Sequence, residues 1–173
     1  MIQSTIICKE CDTPNPAGTA ACTTCGTALP KPKRIFLSYA HEDENMKKKL
    51  EKHLSVLQRV RGALLWNDRD IKAGEGWATD IDENLKAADI ILLLISDDFM
   101  ASNYCYSVEM AKAMEMRKEG KAKVVPIILR PVELDGTPFM KLQALPRDAK
   151  AVSTWSNEDQ AWLNVVQGLK ALL

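Results

Sequence analysis

Between Arg34 and the end of the chain, the hydrophobic residues alternate between two kinds of spacing. Apolar runs rich in β-branched residues predict strands, whereas apolar residues three or four positions apart predict helices. Five segments have the strand pattern: "RIFLSY", "GALLW", "DIILLLIS", "KVVPIIL" and "AVSTW". Because segments with helical spacing separate them, the pattern predicts an α/β domain with a parallel sheet of five strands.

Four segments place their hydrophobic residues on one face of a predicted helix. The first covers residues 43–59, the second follows "NDRDIKAGEG", the third runs from Ser102 to about Gly120, and the fourth opens at Ser156. Ser102 is a suitable N-cap, and Ser156 forms a capping box with Asp159. The hydrophobic positions of the first, second and fourth helices are Met46, Leu50, Leu54 and Leu57; Trp77, Ile81, Leu85 and Ala88; and Trp162, Val165, Val166 and Leu169.

The third predicted helix carries one carboxylate in a row that is otherwise small or apolar. The row consists of Cys105, Glu109, Ala113 and Met116. Spacings of four, four and three put these residues on one side of the helix. Two interpretations of Glu109 are open. It faces a ligand cleft, or it is a solvated surface residue that pairs with Lys112 or Lys118.

Polar segments follow three of the predicted strands, where ligands bind in open parallel sheets. They are "SYAHED", "NDRDIKAGEGW" and "SDDFMASNYC", and Glu109 lies two turns into the helix after the last. No G-x-x-x-x-G-K-[ST] phosphate-binding loop is present in the sequence, and "GEGWAT" lacks the third glycine of the G-x-G-x-x-G fingerprint. The sequence therefore favours a cleft at this edge without either of those motifs.

Four of the five cysteines lie within the first 25 residues, in "CKECDTPNPAGTAACTTCG". Cys8 and Cys11 form one C-x-x-C pair, and Cys22 and Cys25 form a second. Two disulfides or redox-active pairs are the alternatives, but disulfides are rare in the cytosol and a redox dithiol needs one pair. Two C-x-x-C pairs supply the four thiolates of a tetrahedral structural zinc site. We therefore predict one structural Zn²⁺ bound by these cysteines.

The cysteine-rich segment resembles the short zinc ribbons of prokaryotic proteins over residues 8–29. About 25 residues are too few to build a hydrophobic core, so the metal would supply the folding energy. We predict three parts: a zinc ribbon at 1–29, a stiff linker at 30–33 and the α/β domain at 34–173. Docking of a protein partner, contact with nucleic acid and self-assembly are all open roles for the ribbon.

Charge and composition narrow the classes of function. The 23 basic and 23 acidic residues give a formal net charge of zero, which argues against an electrostatic grip on nucleic acid or anionic lipid. The N-terminal "MIQSTIICKEC" lacks the apolar region of a secretory signal, and "IILLLI" is too short to span a bilayer. We expect a soluble cytoplasmic protein that does not bind membranes and whose main function is not the binding of nucleic acid.

Three stretches occur together in the order and spacing of one known family. They are "RIFLSYAHED", "WNDRDIKAGEGWATDIDENLKAADIILLLISDDFMASNYCYSVEM" and "VVPIIL". They contain a strand followed by "SY", a loop ending in "AG" before an aromatic residue (the BB loop), and an "S..F..S.YC...E" segment. Residues 33–173 thereby resemble a prokaryotic Toll/interleukin-1 receptor (TIR) domain.

This resemblance implies a flavodoxin-like fold with a five-stranded parallel sheet. It also implies an enzymatic activity on NAD+. Many bacterial TIR domains cleave NAD+ at the nicotinamide–ribose bond, releasing nicotinamide and ADP-ribose or a cyclic variant. Their catalytic carboxylate matches Glu109. One carboxylate suffices, because nicotinamide leaves as a neutral molecule without a general acid, and the carboxylate stabilises the oxocarbenium character of the ribose.

The resemblance also implies which residues bind the substrate. Ser38 and Tyr39 match the "SY" residues at the end of the first strand, which lie at the cleft in these enzymes. Trp77 matches the aromatic residue that follows the BB-loop glycine and stacks on NAD+. Arg69 and Asp70 of the BB loop are further candidates for substrate binding.

Other TIR domains, chiefly in animal receptors and adaptors, are scaffolds that act through TIR–TIR contacts. The resemblance therefore leaves two functions open: an NAD+ glycohydrolase activated by self-assembly, or a scaffold without catalysis. In either case we expect a homo-oligomer, with the zinc ribbon as a docking site for a protein partner. Small enzymes that resemble this chain are often found in antiviral defence, and that is the setting we expect.

Overall fold

The computed structural model describes residues 5–66 and 77–173, and among these it describes the backbone but not the side chains of 77–81. The strands are β1 (Thr5–Ile7), β2 (Pro14–Pro16), β3 (Arg34–Ser38), β4 (Leu64–Trp66), β5 (Ile90–Ile95) and β6 (Lys123–Ile128). The helices are α1 (Glu44–Arg61), α2 (Trp77–Lys86), α3 (Asp97–Ala101), α4 (Met110–Lys118) and α5 (Glu158–Lys170), with a π-helical turn at Cys105–Glu109 directly before α4.

The main sheet is parallel, and its strand order is β4-β3-β5-β6. All six residues of β5 are buried, as expected of a central strand covered on both faces. One hydrophobic cluster joins α1 and α5 to the sheet, and another joins α2 and α4 to the opposite face. The predicted α/β class and parallel sheet are confirmed, and Pro126 lies in the edge strand β6, as predicted.

The prediction of a fifth strand at "AVSTW" is wrong. Val152–Thr154 form a 3₁₀ turn, and the described residues contain a sheet of four strands. Leu145 occupies the edge of β6 instead: its N–H donates to the Pro126 carbonyl at 2.8 Å, and its carbonyl accepts from the Ile128 N–H at 2.8 Å. The next N–H that could donate to β6 is that of Arg147, and it donates instead to the Asn164 side-chain oxygen at 2.8 Å, so the pairing stops after one residue.

Two helix starts differ in detail from the sequence pattern. Asn157, rather than a capping box of Ser156 and Asp159, caps α5, because its side chain accepts hydrogen bonds from the N–H groups of Asp159 and Gln160. Ser102 caps the turn that leads to α4, as predicted: its hydroxyl accepts a 3.3 Å hydrogen bond from the Cys105 N–H. The chain has already formed the short helix α3 before that point.

The N-terminal hairpin of β1 and β2 packs against the C-terminal end of α1. The Thr5 hydroxyl donates to the Arg59 carbonyl at 2.6 Å, and Ile6 forms an isolated antiparallel bridge with Arg61. Ile6 is buried, with 2% of its surface exposed. Gly62 ends α1 with a φ of 68°, which lets the chain turn closely beneath Ile6. The hairpin is therefore anchored to the α/β domain through one end of α1.

No helix in the two described ranges is long and apolar enough to cross a membrane.

Candidate active site and metal centre

The candidate active site lies at the carboxyl ends of β3 and β5. From β3 the chain crosses to β4 on one side, whereas β5 lies on the other side of β3. This reversal is a topological switch point, which opens a crevice beyond the strand ends. Alternation along β3 puts Phe36 and Ser38 on the face that α4 covers. Ser38 ends the strand and is 1% exposed, so its hydroxyl lies at the inner end of this crevice.

Glu109 meets Ser38 at this crevice. Its side chain is buried, with 5% exposed, and its Oε2 accepts a short hydrogen bond from the Ser38 hydroxyl. The interpretation of Glu109 as a solvated surface residue is therefore excluded. Lys112, one of its alternative partners, instead bonds Glu115 at 2.7 Å. All four residues of the predicted row are buried: Cys105, Glu109, Ala113 and Met116.

A π-helical turn sets the direction of the Glu109 side chain. The turn spans Cys105–Glu109, and α4 begins at the next residue. Such a turn inserts one residue into a helix and rotates the side chains before it relative to those after it, and it is frequent at functional sites. The Cys105 thiol donates to the Tyr39 carbonyl at 3.3 Å, which ties this turn to the end of β3. The sequence does not reveal the π turn, because spacings of four and three also fit an ordinary α-helix.

Two concave spaces meet at Glu109. One, of about 330 Å³, lies between the segment after β3 and the segment after α3. Its described lining includes three carboxylates, Glu42, Asp98 and Glu109, and no lysine or arginine. The other, of about 520 Å³, lies between α2 and α4 and includes the apolar side chains of Leu85 and Val108. The carboxylate of Glu109 thus separates an acidic cleft from a more apolar one.

Tyr39 lines the acidic cleft but directs its hydroxyl towards α1. That hydroxyl donates to Glu44 at 2.8 Å, and the ammonium of Lys47 lies 5.3 Å from the centre of the ring. Lys47 is 4% exposed and pairs with Glu51 at 3.1 Å. Tyr39 is therefore held rigidly, with its backbone carbonyl on the cleft side bonded to Cys105.

The other predicted substrate-binding residues cannot be placed beside Ser38 and Tyr39. Arg69 and Asp70 lie outside the described residues, as does the side chain of Trp77. The backbone of Trp77 opens α2.

Sequence reasoning missed a buried ionic network next to the acidic cleft. Asp43 is 2% exposed; it accepts a short hydrogen bond from Ser96 and a 2.8 Å hydrogen bond from Nη2 of Arg130. The same guanidinium bonds Asp98 and lies 3.1 Å from Asp97. Burial raises the pKa of Asp43, while the bonds from Ser96 and Arg130 oppose that rise. These groups follow β3, β5 and β6, so the network fastens three strand ends together.

The four N-terminal cysteines form a second candidate site. Their sulfur atoms all lie within 4.8 Å of one another, with Cys8 and Cys25 at 3.5 Å and Cys11 and Cys22 at 3.5 Å. Four sulfurs that surround Zn²⁺ tetrahedrally at about 2.3 Å are about 3.8 Å apart. The cluster thus has the size and the donor set of a tetrahedral thiolate site, and it can hold a metal ion.

Each C-x-x-C pair forms the same turn, a duplication that the sequence analysis overlooked. "CKECDT" and "CTTCGT" share the pattern, and in each the residue after the second cysteine has a positive φ: 56° at Asp12 and 74° at Gly26. The N–H of that residue donates to the carbonyl of the first cysteine, at 3.0 Å for Cys8 and 2.9 Å for Cys22. The two turns therefore present their thiols in matching directions.

The surroundings of the cluster favour thiolate at one cysteine and resist it at another. The N–H groups of Cys25 and Thr24 lower the pKa of Cys22 to about 6. The Glu10 N–H also lowers the pKa of Cys8, but burial and the neighbouring sulfurs raise it overall to about 11. Four thiolates this close repel one another, and a divalent cation at their centre relieves that repulsion.

Asn15 joins the two cysteine turns. It is 1% exposed; its amide nitrogen donates to the Thr13 carbonyl at 2.8 Å, and its oxygen accepts from the Thr23 N–H at 2.9 Å. Its amide nitrogen also lies 3.5 Å from the sulfur of Cys22. Such outer hydrogen bonds orient the ligands of metal sites.

Comparisons with known proteins agree with this architecture. The family model described as "TIR domain" matches residues 35–165. An uncharacterized protein, y4lF, of Sinorhizobium fredii is 46% identical over 136 residues, which cover 79% of this chain and 42% of that protein. The matched region therefore spans less than half the length of that relative.

One solved structure shows the same fold at low identity. The TIR domain of the Toll-related receptor TRR-2 from Hydra magnipapillata aligns with a TM-score of 0.57 and 19% identity, over 79% of this chain and 97% of that one. The TIR domains of the activated Roq1 resistosome, which recognizes the pathogen effector XopQ, align with a TM-score of 0.46 and 20% identity, over 58% of this chain and 59% of that one.

Proposed function

Because the chain belongs to the TIR domain family, we propose that it is an NAD+ glycohydrolase that cleaves the bond between nicotinamide and ribose. One observation carries the proposal: the buried carboxylate of Glu109 lies at the switch point of the sheet, between two clefts, with Ser38 bonded to it. A carboxylate costs free energy to bury, so an arrangement that keeps it there at the mouth of a cleft favours a functional role.

The chemistry requires little more than this carboxylate. The bond between ribose C1′ and the nicotinamide nitrogen breaks, its electron pair stays on that nitrogen, and nicotinamide leaves uncharged. Positive charge then develops on the ribose, and Glu109 stabilises it in a site shielded from water. Water adds to C1′ and loses a proton to give ADP-ribose, or a nucleophile within the same molecule adds to give a cyclic product.

Ser38 acts in this proposal as a positioning residue. Its hydroxyl donates to Oε2 of Glu109, which fixes the plane of the carboxylate relative to the cleft. The carboxylates of Glu42 and Glu109 attract a cationic ring, whereas the charge of Asp98 is compensated by Arg130. The oxidised cofactor carries its positive charge on the nicotinamide ring, and the reduced cofactor has none there. The site should therefore prefer NAD+ to NADH.

The proposal assigns separate roles to the rest of the chain. Residues 1–29 form a ribbon with a structural Zn²⁺ on Cys8, Cys11, Cys22 and Cys25, residues 30–33 are a linker, and residues 34–173 are the TIR domain. The ribbon docks a protein partner. A neighbouring copy completes the substrate site, to which Arg69 and Asp70 of the BB loop and Trp77 after it contribute. We further propose a cytoplasmic location and a role in antiviral defence.

The direct test is incubation of the purified 173-residue chain with NAD+, following nicotinamide release by chromatography over a wide range of protein concentration. We expect release, with a specific activity that rises with concentration as copies assemble. ADP-ribose and a cyclic product separate in the same run. A scaffold TIR domain gives no nicotinamide at any concentration, and that result would overturn the proposal. NADH serves as the control substrate and should be cleaved far more slowly.

A further inference from the structure

A wide groove lies at the amino-terminal edge of the main sheet, at the opposite end of the strands from Glu109. It has a volume of about 1110 Å³ and is formed by the starts of β5 and β6, the end of α4, the segment at 141–145 and the end of α5. The described lining contains six basic side chains and one acidic side chain, Asp89. The basic residues are Lys33, Arg117, Lys118, Lys121, Lys123 and Lys141.

Most of these cations are not neutralised by the fold. Lys33 lies 3.7 Å from Asp89, and Lys121 lies 2.8 Å from Glu119. The other four, Arg117, Lys118, Lys123 and Lys141, form no ion pair or side-chain hydrogen bond with any described residue. Since the whole chain has a formal net charge of zero, this concentration of positive charge is local to the groove. Clustered like charges repel, and an anion within the groove relieves the repulsion.

The groove also has an apolar side. Its lining includes the start of β6 at Val124 and Val125, together with Leu142, Leu145 and Leu172. These aliphatic groups form a surface on which a flat ring can rest, while the charged ends of the long basic side chains extend into solvent. A site with an apolar floor and a few charged groups at its margin is typical of small-molecule pockets.

We propose that this groove binds a nucleotide with two or more phosphates, with the phosphates on the lysines and Arg117 and the base on the aliphatic floor. A single-stranded nucleic acid fits less well, because such sites stack successive bases on aromatic side chains, and the described lining has none. The site is separate from the cleft at Glu109 and goes beyond the function proposed for that cleft.

The test uses isothermal titration calorimetry on the 173-residue chain with ADP, inorganic pyrophosphate and adenosine. ADP should bind more tightly than pyrophosphate, and pyrophosphate more tightly than adenosine, because ADP alone uses both the cations and the floor. Rising salt should weaken ADP binding. Pyrophosphate binding as tightly as ADP would show that the floor is unused and would overturn the proposal. A short RNA that binds more tightly than ADP would also overturn it, in favour of a polynucleotide site.

Matched charge reversals locate the binding site on the molecule. Lys123→Glu and, separately, Lys141→Glu should each weaken ADP binding by about tenfold or more, since each removes a charge-assisted contact. Lys52→Glu is the control, because Lys52 is exposed on α1 and is not part of the groove lining. Thermal melts of all three variants check that they fold. Equal ADP affinity in all three variants, or no ADP binding by the parent chain, would contradict the proposal.

Discussion

The cysteine cluster and the cleft at Glu109 are both candidate functional sites, but their residues come from very different separations along the chain. Cys8 and Cys25 are 17 positions apart, and two short turns bring all four sulfurs within 4.8 Å. Ser38 and Glu109 are 71 positions apart and meet only because β3, β5 and the helix after β5 pack together. The first site is therefore a property of local sequence, and the second is a property of the fold.

The two regions also differ in what holds them together. Within residues 5–29, four side chains are buried: Ile6, Cys8, Asn15 and Cys22. Of these, Ile6 is the one aliphatic residue, so the ribbon depends on its metal and on its contact with α1. The main sheet instead has a hydrophobic cluster on each face. Damage to one region should consequently leave the other largely intact.

The largest expected effect is on the ribbon. Cys8→Ser removes one of four ligands, and structural zinc contributes on the order of 10 kcal/mol to the folding of such small units. The zinc content measured by metal analysis should fall from about one per chain to none, while the α/β domain keeps its cooperative thermal transition. Cys105→Ala is the control and should retain its zinc, because Cys105 lies in the other region. Zinc retained by Cys8→Ser would contradict the role of Cys8 as a ligand. Loss of the whole fold would contradict the independence of the ribbon and the α/β domain.

The next effect is on the ionic network beside the cleft. Asp43→Ala removes the buried acceptor of Ser96 and Arg130 and should lower the free energy of unfolding by about 3 kcal/mol in urea titrations. Zinc content should not change. Asp159→Ala is the matched control: its side chain is 86% exposed, and its loss should cost under about 0.5 kcal/mol. Equal effects of the two substitutions would refute the structural importance of the network.

Ser38→Ala tests the long-range contact itself. Removing the hydroxyl frees the Glu109 carboxylate to rotate, and a hydrogen bond to a charged group contributes about 1.5–3 kcal/mol. We expect kcat for NAD+ cleavage to fall by tenfold or more, with a smaller change in KM. Ser55→Ala on α1, whose hydroxyl bonds the Lys52 carbonyl, should leave both constants unchanged. An unaltered kcat in Ser38→Ala would rule out its positioning role.

The smallest effect concerns the duplicated cysteine turns. Asp12 has a φ of 56°, where its counterpart in the second turn is a glycine. Asp12→Gly removes the cost of this backbone conformation, about 1 kcal/mol, and should tighten zinc binding a few-fold in competition with a chelator. Gly26→Ala should weaken it by a similar factor. Changes of the same sign in both variants would show that the two turns are not equivalent.

The contrast between local and long-range assembly also explains which features the sequence predicts. The cysteine ligands follow from two four-residue motifs, and β3, β4, β5 and β6 follow from apolar runs. "AVSTW" has a strand-like pattern, but Leu145 already bonds the edge of β6, and no local signal reveals this competition. The network of Asp43, Ser96 and Arg130 joins residues after three different strands, and nothing in the sequence distinguishes these three from other polar residues at the ends of predicted elements.

For Glu109, the sequence predicts the burial of the side chain but not its partner. Its place in an apolar row predicts that it faces inward, and the structure confirms the burial of that row. The π turn that precedes α4, and the partner Ser38, could not be predicted from the row, because both depend on packing against β3.

The most direct test of the account is Glu109→Gln, with nicotinamide release and melting temperature measured on the same sample. Glutamine keeps the shape and an oxygen acceptor for Ser38 but removes the charge. We expect NAD+ cleavage to fall on the order of 10²–10³-fold. The melting temperature should stay level or rise slightly, because a buried charge is removed. Glu119→Gln, at an exposed residue just after α4, should change neither quantity. Undiminished nicotinamide release by Glu109→Gln would contradict the catalytic assignment.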